Sequence, residues 1–392
     1  MKNDSNDKLR EIAGETKTLS EPDGFITLNK VEKMLLALLR SSLHQEEVDT
    51  SYFHDVTLEE WRLCRRLAAH HGVMALAWEG VCLLPPAQRP PKRIMVNWGL
   101  AVETYERKYR RYCQTIDELS KFYASHGIRT LQLKGVGYSS LYSVPSHREG
   151  GDIDIYTYAT EGSGMTDAQA NALADSLMKE KGIKVDDSHN VKHSSFTYQG
   201  ITVENHKTFL NVERYNVAPQ VEKMLKRCMN PQVTPLLEGE VLTPSVAFNT
   251  LFISFHALGH FPGMLNLHHL YDWAILIKQY GIQLPDDLKD PLLLQGIAAI
   301  THLCNRFLGT DVQMDGGEKV AAIIWKDMFR PKYPNDVPVS NKIGILVFKT
   351  KRMIYTHHLK SSIIYFPLWK RIWTSIVSHI KEPQTIFKRK HH

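Results

Sequence analysis

The amino-acid sequence predicts an α+β protein in which a mixed β-sheet core is flanked by two helical regions. Apolar residues recur at helical spacing in residues 28–126 and again in residues 216–335. Residues 127–215, between them, contain short runs rich in Ile, Tyr and Thr that alternate with period two, which indicates strands. A chain of 392 residues is long enough for two or three compact units.

The N-terminal helical region, residues 28–126, follows a polar lead-in of residues 1–27. Its segment VEKMLLALLR has helical spacing, and Thr57 with Glu60 has the form of a capping box. A long helix is predicted from about residue 96 to 125. The lead-in contains no apolar segment of the kind found in secretory signals, so we expect no secretory signal there.

The α/β core begins with the strand-type run IRTLQL, which is followed by GVGYSSLY, a brief helix. DIDIYTY alternates with period two and is predicted to be a strand. A helix between Thr166 and Gly182 comes next. The runs HSSFTY and ITVENH, joined by a turn at Gln199 and Gly200, predict a β-hairpin.

After the C-terminal helical region, residues 336–392 are predicted to form a basic amphipathic tail. Residues 349–392 contain ten Lys or Arg and one acid, whereas the rest of the chain has 38 bases and 41 acids. One stripe of a predicted tail helix is apolar: Trp369, Ile372, Trp373, Ile376 and Ile380. We expect this helix to pack back on the body, with a membrane surface or a nucleic acid as the alternative contact.

Composition narrows the class of protein. The chain is 43% hydrophobic and 23% charged, which is ordinary for a soluble globular protein. No apolar run reaches the roughly 18 residues that a membrane span needs. The five cysteines are far apart and form no C-x-x-C pair, so we expect neither a disulfide scaffold nor a zinc ribbon, and we expect a cytoplasmic location.

Asp152 and Asp154 are the clearest candidates for chemistry. Side chains two residues apart in a strand share a face, so both carboxylates point the same way while the neighbouring isoleucines point into the core. Two carboxylates held together repel each other unless a divalent cation such as Mg²⁺ lies between them. Glu204 and His206 form a second same-face pair, and Glu204 becomes a third metal-facing carboxylate if the two strands are neighbours.

The pattern LKG…LY…R-x-x-x-D-I-D, followed by V-E-x-H, resembles the nucleotidyltransferase (polymerase β-like) superfamily, and within it a bacterial family of uncharacterised nucleotidyltransferases. Residues matching that pattern are Lys134, Gly135, Arg148, Asp152, Asp154, Glu204 and His206. The later H-A-L-G-H and L-Y-D segments resemble the helical C-terminal half of the family. Two departures are Val136, where Gly or Ser is usual, and Asn205, where an apolar residue is usual.

The resemblance implies Mg²⁺-dependent transfer of a nucleoside monophosphate, most naturally AMP from ATP, to an acceptor hydroxyl. Asp152, Asp154 and Glu204 would hold two metal ions and so carry the catalysis. Phosphate contacts are then expected from the backbone of Gly135 and Gly137 and from side chains nearby. The nucleotide-contacting set is Lys134, Gly135, Gly137, Ser139, Arg148 and His206.

Several of these residues have an alternative role. Lys134 can pair with an aspartate of the empty site, and Arg148 can be a structural partner of Asp154 instead of a phosphate ligand. His206 can orient a neighbouring group instead of ligating a metal directly.

The C-terminal half adds a further set of polar residues. His256 and His260 are four residues apart but lack the intervening Glu of H-E-x-x-H, so they indicate packing histidines more than a zinc site. Asp272 lies in an apolar helix and needs a buried partner, for which His256 or His260 is expected.

Three functions fit the sequence. The first is an enzyme whose acceptor is a small molecule or a protein hydroxyl, since the charge outside the tail does not favour a nucleic-acid track. The second is a non-catalytic nucleotide-binding or interaction module with the same fold, suggested by the irregular glycine turn. The third is a toxin-like enzyme that nucleotidylates tRNA, suggested by the basic tail.

Overall fold

A computed structural model describes residues 24–187, 191–237, 239–334, 337 and 341–381. Most of the predicted lead-in, and the tail from residue 382 onward, lie outside these residues. The N-terminal region is helical, as predicted, and its helices are α1 (Lys30–His44), α2 (Leu58–His70), α3 (Met74–Leu83) and α4 (Lys92–Ala124). Thr57 caps α2 as expected, because its side chain accepts from the backbone of Glu60 while Glu60 bonds back to Thr57.

The core order of strand, helix, strand, helix and hairpin is confirmed. It comprises β1 (Ile128–Gln132), α5 (Val136–Ser139), β2 (Ile153–Ala159), α6 (Asp167–Glu180), β3 (Val185–Asp186), β4 (His193–Tyr198) and β5 (Ile201–His206). The strand β2 pairs antiparallel with β1 and parallel with β5, and β4 pairs antiparallel with β5. The described residues form one sheet in the order β3-β4-β5-β2-β1-β7-β6.

Two of these strands, β6 (Gln232–Pro235) and β7 (Glu240–Thr243), lie in the range predicted to be helical. They form an antiparallel pair, and β7 joins the sheet through a single parallel register pair, Leu131 with Leu242. Each strand has four residues, too few to show a period of two. The sheet therefore takes in chain well beyond residue 215.

Helices cover both faces of the sheet, so the predicted α+β class is confirmed. Ile153, Ile155 and Val203 contribute to a core beneath one face, together with the second half of α4. Tyr156 and Tyr158 face the other way, into a larger core built with the N-terminal and C-terminal helices. Alternate residues of β2 thus belong to different layers, as the period of a strand requires.

The C-terminal part is helical apart from β6 and β7. Its helices are α7 (Ala218–Cys228), α8 (Val246–His260), α9 (Leu267–Tyr280), α10 (Pro291–Leu303), α11 (Glu318–Phe329), α12 (Lys342–Ser361) and α13 (Leu368–Lys381). The tail packs back on the body: Lys360 Nζ donates to three carbonyls at the end of α8, those of Leu258, Gly259 and Phe261, at 2.6–2.8 Å. Among the described helices, none combines the length and the hydropathy needed to cross a bilayer.

Candidate active site

The pairing of β2 with β5 brings the predicted acids together. In this parallel register Asp154 lies beside Glu204, and Tyr156 lies beside His206. Asp154 and Glu204 therefore project from one face of two adjacent strands. Ligand atoms of Asp154, Glu204 and His206 all lie within 4.8 Å of one another, close enough to hold one metal ion.

Asp154 is the most buried of the acids, with 1% of its surface exposed. Its Oδ2 lies 3.0 Å from Lys134 Nζ, and its Oδ1 lies 3.0 Å from His206 Nε2. Burial alone would raise the pKa of Asp154, but the Lys134 ammonium and the His206 ring outweigh burial and hold that pKa well below its usual value. Asp154 is therefore ionised at neutral pH and ready to bind a cation.

Glu204 lies beside Asp154 and lines an open cavity. Its Oε2 is 3.4 Å from His193 Nε2 and 3.7 Å from His206 Nε2. Burial opposes ionisation of Glu204, but hydrogen bonding to His206 and the charge of His193 lower its pKa below the usual value. His206 contacts both acids, and its Nδ1 is a buried ring nitrogen that has no hydrogen-bond partner among the described residues.

Asp152 lies immediately before β2 and lines the cavity, but it is outside the three-residue group. Burial raises its pKa, Asp154 and Glu204 raise it further, and Lys134 opposes them. Asp152 is thus near enough to feel both other carboxylates. Its role as a metal ligand stays a prediction.

Two lysines face the acids. Burial would lower the pKa of Lys134, but Asp154, Asp152 and Glu204 raise it above its usual value. Of the two alternatives for Lys134, the structure shows the ion pair with an aspartate. Lys192 also lines the cavity, and burial together with the charge of Lys134 lowers its pKa.

The glycine turn after β1 is built tightly against the protein. Gly135 has φ 67°, a backbone conformation that L side chains rarely adopt. A Cβ on Gly137 would lie 2.6 Å from Gln132 Cγ, so the close contact at Gly137 is with another residue of the protein. Ser139 is buried, and its hydroxyl bonds to the Val136 carbonyl at 2.5 Å and to the Tyr109 hydroxyl at 3.1 Å. The structure does not bring the Ser139 hydroxyl to the acids.

Arg148 forms a buried ion pair with Asp272, whereas Asp154 was its expected structural partner. Its Nε donates to Asp272 Oδ1 at 2.9 Å, and its Nη2 donates to Oδ2 at 2.7 Å. Tyr142 donates to the same Oδ1, and Tyr138 donates to the Asp272 backbone carbonyl at 2.7 Å. The expectation that Asp272 pairs with His256 or His260 is therefore wrong, because a forked guanidinium satisfies both carboxylate oxygens.

Asn205 belongs to a buried polar network beneath the acidic site. Its Oδ1 accepts from Thr157 at 2.8 Å and from Asn171 at 3.0 Å, and its Nδ2 donates to Asp175 at 2.9 Å. Asn171 also donates to the His206 carbonyl at 2.8 Å. The polar residue that departs from the family pattern thus fixes β5 to β2 and α6, which positions the site residues on either side of it.

The acidic site opens into a cavity of about 630 Å³, a size typical of small-molecule sites. Lys134, Asp152, Lys192 and Glu204 line it on the sheet side. The C-terminal part of the chain supplies the other walls with cations and rings: Arg214, Tyr215, His256, His260, Arg352, Tyr355, Lys360, Phe366 and Arg371. The sequence interpretation missed the role of Lys192 and of the three arginines, since no local pattern marks them.

His256 and His260 both line this cavity. With His269 they form a group whose ring nitrogens lie within 4.8 Å of one another. His269 Nδ1 accepts from the Asn266 backbone at 3.1 Å, which leaves the proton of a neutral ring on Nε2 and removes that atom as a metal ligand. Burial, with the charge of Lys134, lowers the pKa of His260 to about 4, so this ring is neutral at pH 7.

A divalent metal fits the acidic site better than the histidine group. Carboxylate oxygens are the ligands that Mg²⁺ prefers, and Asp154 and Glu204 supply them on adjacent strands. The Lys134 ammonium lies 3.0 Å from Asp154 Oδ2, so the site already holds one positive charge beside this carboxylate. The residues present therefore suit a hard divalent ion.

One family profile, described as an uncharacterised nucleotidyltransferase, matches residues 57–309, which contain all of the predicted acids. Among solved structures, an antigenic nucleotidyltransferase-like protein from Paracoccidioides brasiliensis is similar at 13% identity over 51% of this chain and 93% of its own, with a TM-score of 0.33. At that score the likeness carries no argument. No curated protein matches the chain.

Proposed function

Since this chain belongs to the uncharacterised nucleotidyltransferase family, we propose that it moves a nucleoside monophosphate, AMP from ATP, to the hydroxyl of a small molecule or a protein. The observation that carries this proposal is the register of β2 and β5, which sets Asp154 beside Glu204 and both beside His206. A carboxylate pair in that arrangement suits a divalent ion and a triphosphate.

In the proposed reaction the acceptor oxygen bonds to the α-phosphorus of the nucleotide. The bond from that phosphorus to the oxygen bridging toward the β-phosphate breaks, and pyrophosphate leaves with the electron pair. Mg²⁺, two ions in the family scheme, would polarise the phosphoryl oxygens and offset the charge on the leaving group. Transfers of this kind depend mainly on positioning and charge stabilisation, which the chain's own residues must supply.

Asp154, Asp152 and Glu204 are proposed to hold the metal ions. Asp154 is buried and ionised, whereas Glu204 and Asp152 reach the cavity and so can meet a bound substrate. Glu204 is our candidate to take the proton of the attacking hydroxyl. His206 orients Asp154 by donating its Nε2 proton across 3.0 Å, which agrees with an orienting role.

Phosphate contacts are proposed for the cations on the sheet side of the cavity. Lys134 and Lys192 line it beside the acids, and a triphosphate would draw Lys134 away from its ion pair with Asp154. The Gly135 turn lies between β1 and α5, and a Cβ on Gly135 would lie 3.6 Å from the Asp152 carbonyl oxygen, so this turn is also a candidate for a phosphate contact. Arg148 is not included, because its guanidinium already donates to both carboxylate oxygens of Asp272.

The function is tested with ATP labelled at the α-phosphate, Mg²⁺ and an extract separated into small molecules, proteins and RNA. We expect label in the small-molecule or protein fraction, with pyrophosphate release that is lost in Asp154→Asn and Glu204→Gln. Asp286→Asn, a change of an exposed surface acid, is the matched control and should behave like the wild type.

Other outcomes point to the other interpretations. Nucleotide binding without any label transfer would favour a non-catalytic module. Label in the RNA fraction would favour a tRNA-modifying enzyme. Transfer that persists at the wild-type rate in Asp154→Asn would place the chemistry elsewhere in the protein.

A further inference from the structure

Three arginines line the same cavity as the acidic site, on walls that come from later parts of the chain. Arg214 follows β5, Arg352 lies on α12, and Arg371 lies on α13. Arg352 and Arg371 lie beyond residues 57–309, so most of this cationic group is outside the part of the chain that matches the family.

The guanidinium groups are held in place by neighbouring rings and polar atoms. Arg371 Nη2 donates to Thr356 Oγ1 at 2.7 Å, and its Cζ lies 5.9 Å from the centre of the Phe366 ring. Arg214 Cζ lies 5.2 Å from the centre of the Tyr215 ring. Arg352 Nη1 donates to the Pro334 carbonyl at 3.2 Å. These contacts orient the guanidinium groups.

Two of the three arginines, Arg214 and Arg371, have charges that are not offset by a neighbouring described acid. Within the described ranges, neither Arg214 nor Arg371 has a carboxylate at ion-pair distance. Burial lowers the pKa of Arg371, and the charges of Arg214 and Arg352 lower it further because like charges repel. Guanidinium groups nevertheless stay charged in proteins.

Asp327, on α11, is an acid that also lines the cavity. Its Oδ2 accepts from the Gly263 backbone at 2.7 Å. Burial raises the pKa of Asp327 to about 6, which shows that no cation strongly favours its charged form. The charges of Arg214 and Arg371, which repel each other in the cavity, would be offset by an external anion.

We propose that Arg214, Arg352 and Arg371 form an anion subsite that holds a phosphate group of the acceptor. The inference rests on the proposed function, which places the donor's triphosphate at the acids and at Lys134. A second cationic group on another wall of the cavity then suits the second substrate. The two guanidinium charges of Arg214 and Arg371 match a phosphate dianion better than a carboxylate, so the acceptor class is a phosphorylated small molecule or a phosphorylated protein side chain.

Inorganic phosphate is the probe, used without metal so that catalysis plays no part. The midpoint of thermal unfolding of the full chain is followed across phosphate concentrations, with chloride and acetate at equal ionic strength as reference anions. Ligand that binds only the folded state stabilises it by mass action, so the midpoints yield an apparent Kd.

We expect phosphate, and not acetate, to stabilise the wild type. Arg371→Gln and the exposed Arg214→Gln should each weaken phosphate binding at least about tenfold, because each loses a charge-assisted contact. Arg107→Gln removes an exposed arginine paired with Glu103 on α4 and is the matched control. Using Arg214→Gln beside Arg371→Gln keeps the test valid if the latter fails to fold.

A second arm adds saturating α,β-methylene-ATP with Mg²⁺. Phosphate stabilisation that adds to that of the nucleotide supports a separate acceptor subsite. Competition between the two would mean that the arginines hold the donor's phosphates, which overturns the assignment. Absence of any phosphate effect, or phosphate stabilisation as strong in both arginine variants as in the wild type, overturns the subsite itself. Failure of the nucleotide to bind would count against the proposed function and leave the phosphate result intact.

A separate observation concerns the outer face of α13. Trp369, Trp373 and Ile380 are 68%, 63% and 72% exposed, and Ile372 and Ile376 on the same stripe are also exposed. Arg371 points the opposite way, into the cavity. The helix contacts the body through Arg371, but its apolar stripe, which the expected packing would have buried, faces outward.

We infer that this stripe rests on an anionic lipid surface. Tryptophans and isoleucines on one face with lysines nearby are typical of helices that lie in the membrane interface. Residues 349–392 hold ten bases and one acid, a charge that attracts anionic headgroups and repels a second copy of the same segment. Charge complementarity therefore favours lipid over self-association.

Sedimentation with lipid vesicles tests this second inference. The full chain should bind vesicles of phosphatidylcholine mixed with phosphatidylglycerol and bind pure phosphatidylcholine much less. Trp369→Glu/Trp373→Glu should abolish binding, whereas Thr374→Glu, an exposed change on another side of α13, should largely keep it. Equal sedimentation of both variants, or tryptophan-dependent dimerisation or tRNA binding in its place, would overturn the inference.

Discussion

Replacing Arg148 by Met separates a structural role from a phosphate-binding role. The guanidinium is 11% exposed at the side chain and makes two hydrogen bonds of 2.9 and 2.7 Å to Asp272. Without it, the Asp272 carboxylate is buried and, among the described residues, keeps only the Tyr142 hydroxyl as a side-chain donor. Leaving one partner of a buried ion pair uncompensated typically costs about 3–5 kcal/mol of stability.

We expect urea unfolding, followed by tryptophan fluorescence, to show a loss of that size in Arg148→Met. The double variant Arg148→Met/Asp272→Asn should recover more than half of the loss, since it removes the stranded charge and keeps an oxygen for Tyr142. Nucleotide affinity should change less than about threefold in the double variant, because the pair does not face the triphosphate. A stability loss below about 1 kcal/mol, combined with nucleotide binding weakened more than tenfold, would refute this reasoning and restore Arg148 as a phosphate ligand.

Two further predictions concern pH and packing. Although burial opposes it, bonds to two glutamates raise the pKa of His147 above its usual value, so its stabilising contribution is complete below about pH 6.5 and is lost as the pH rises through the folded pKa. His147→Gln should flatten that part of the curve of unfolding free energy against pH; an unchanged slope would contradict it. Gly137→Ala places a Cβ 2.6 Å from Gln132 Cγ and should cost about 1–3 kcal/mol in urea unfolding. Gly151→Ala meets nothing within 4 Å and should be close to neutral, so equal losses in the two variants would argue against the clash.

Local signals in the sequence are sufficient for the elements that carry the acids. Period-two alternation marks β2 and β5, and the turn at Gln199 and Gly200 marks the hairpin. Local signals do not predict which strands become neighbours. The parallel pairing of β2 with β5 joins segments about fifty residues apart, and neither segment contains a pattern that identifies its partner. The resemblance to a family, not the spacing, makes Glu204 a predictable third acid.

Partners of buried charges are the least predictable part of the site. Arg148 and Asp272 are 124 residues apart, and their pairing depends on how α9 packs against the loop before β2. Arg371 is still more remote from the acids in sequence, yet it lines their cavity because the tail folds back. Asn205 accepts hydrogen bonds from Thr157 and Asn171, which come from other elements and cannot be identified from the strand's own sequence.

The central claim is that Asp154 and Glu204 together bind a divalent ion that binds a nucleotide. Electron paramagnetic resonance of Mn²⁺, titrated with the full chain in the presence and absence of α,β-methylene-ATP, measures this directly. The account predicts saturable binding that tightens with nucleotide and weakens at least about tenfold in Asp154→Asn and in Glu204→Gln, but not in Asp286→Asn. Mn²⁺ binding of equal strength in all four proteins would contradict it.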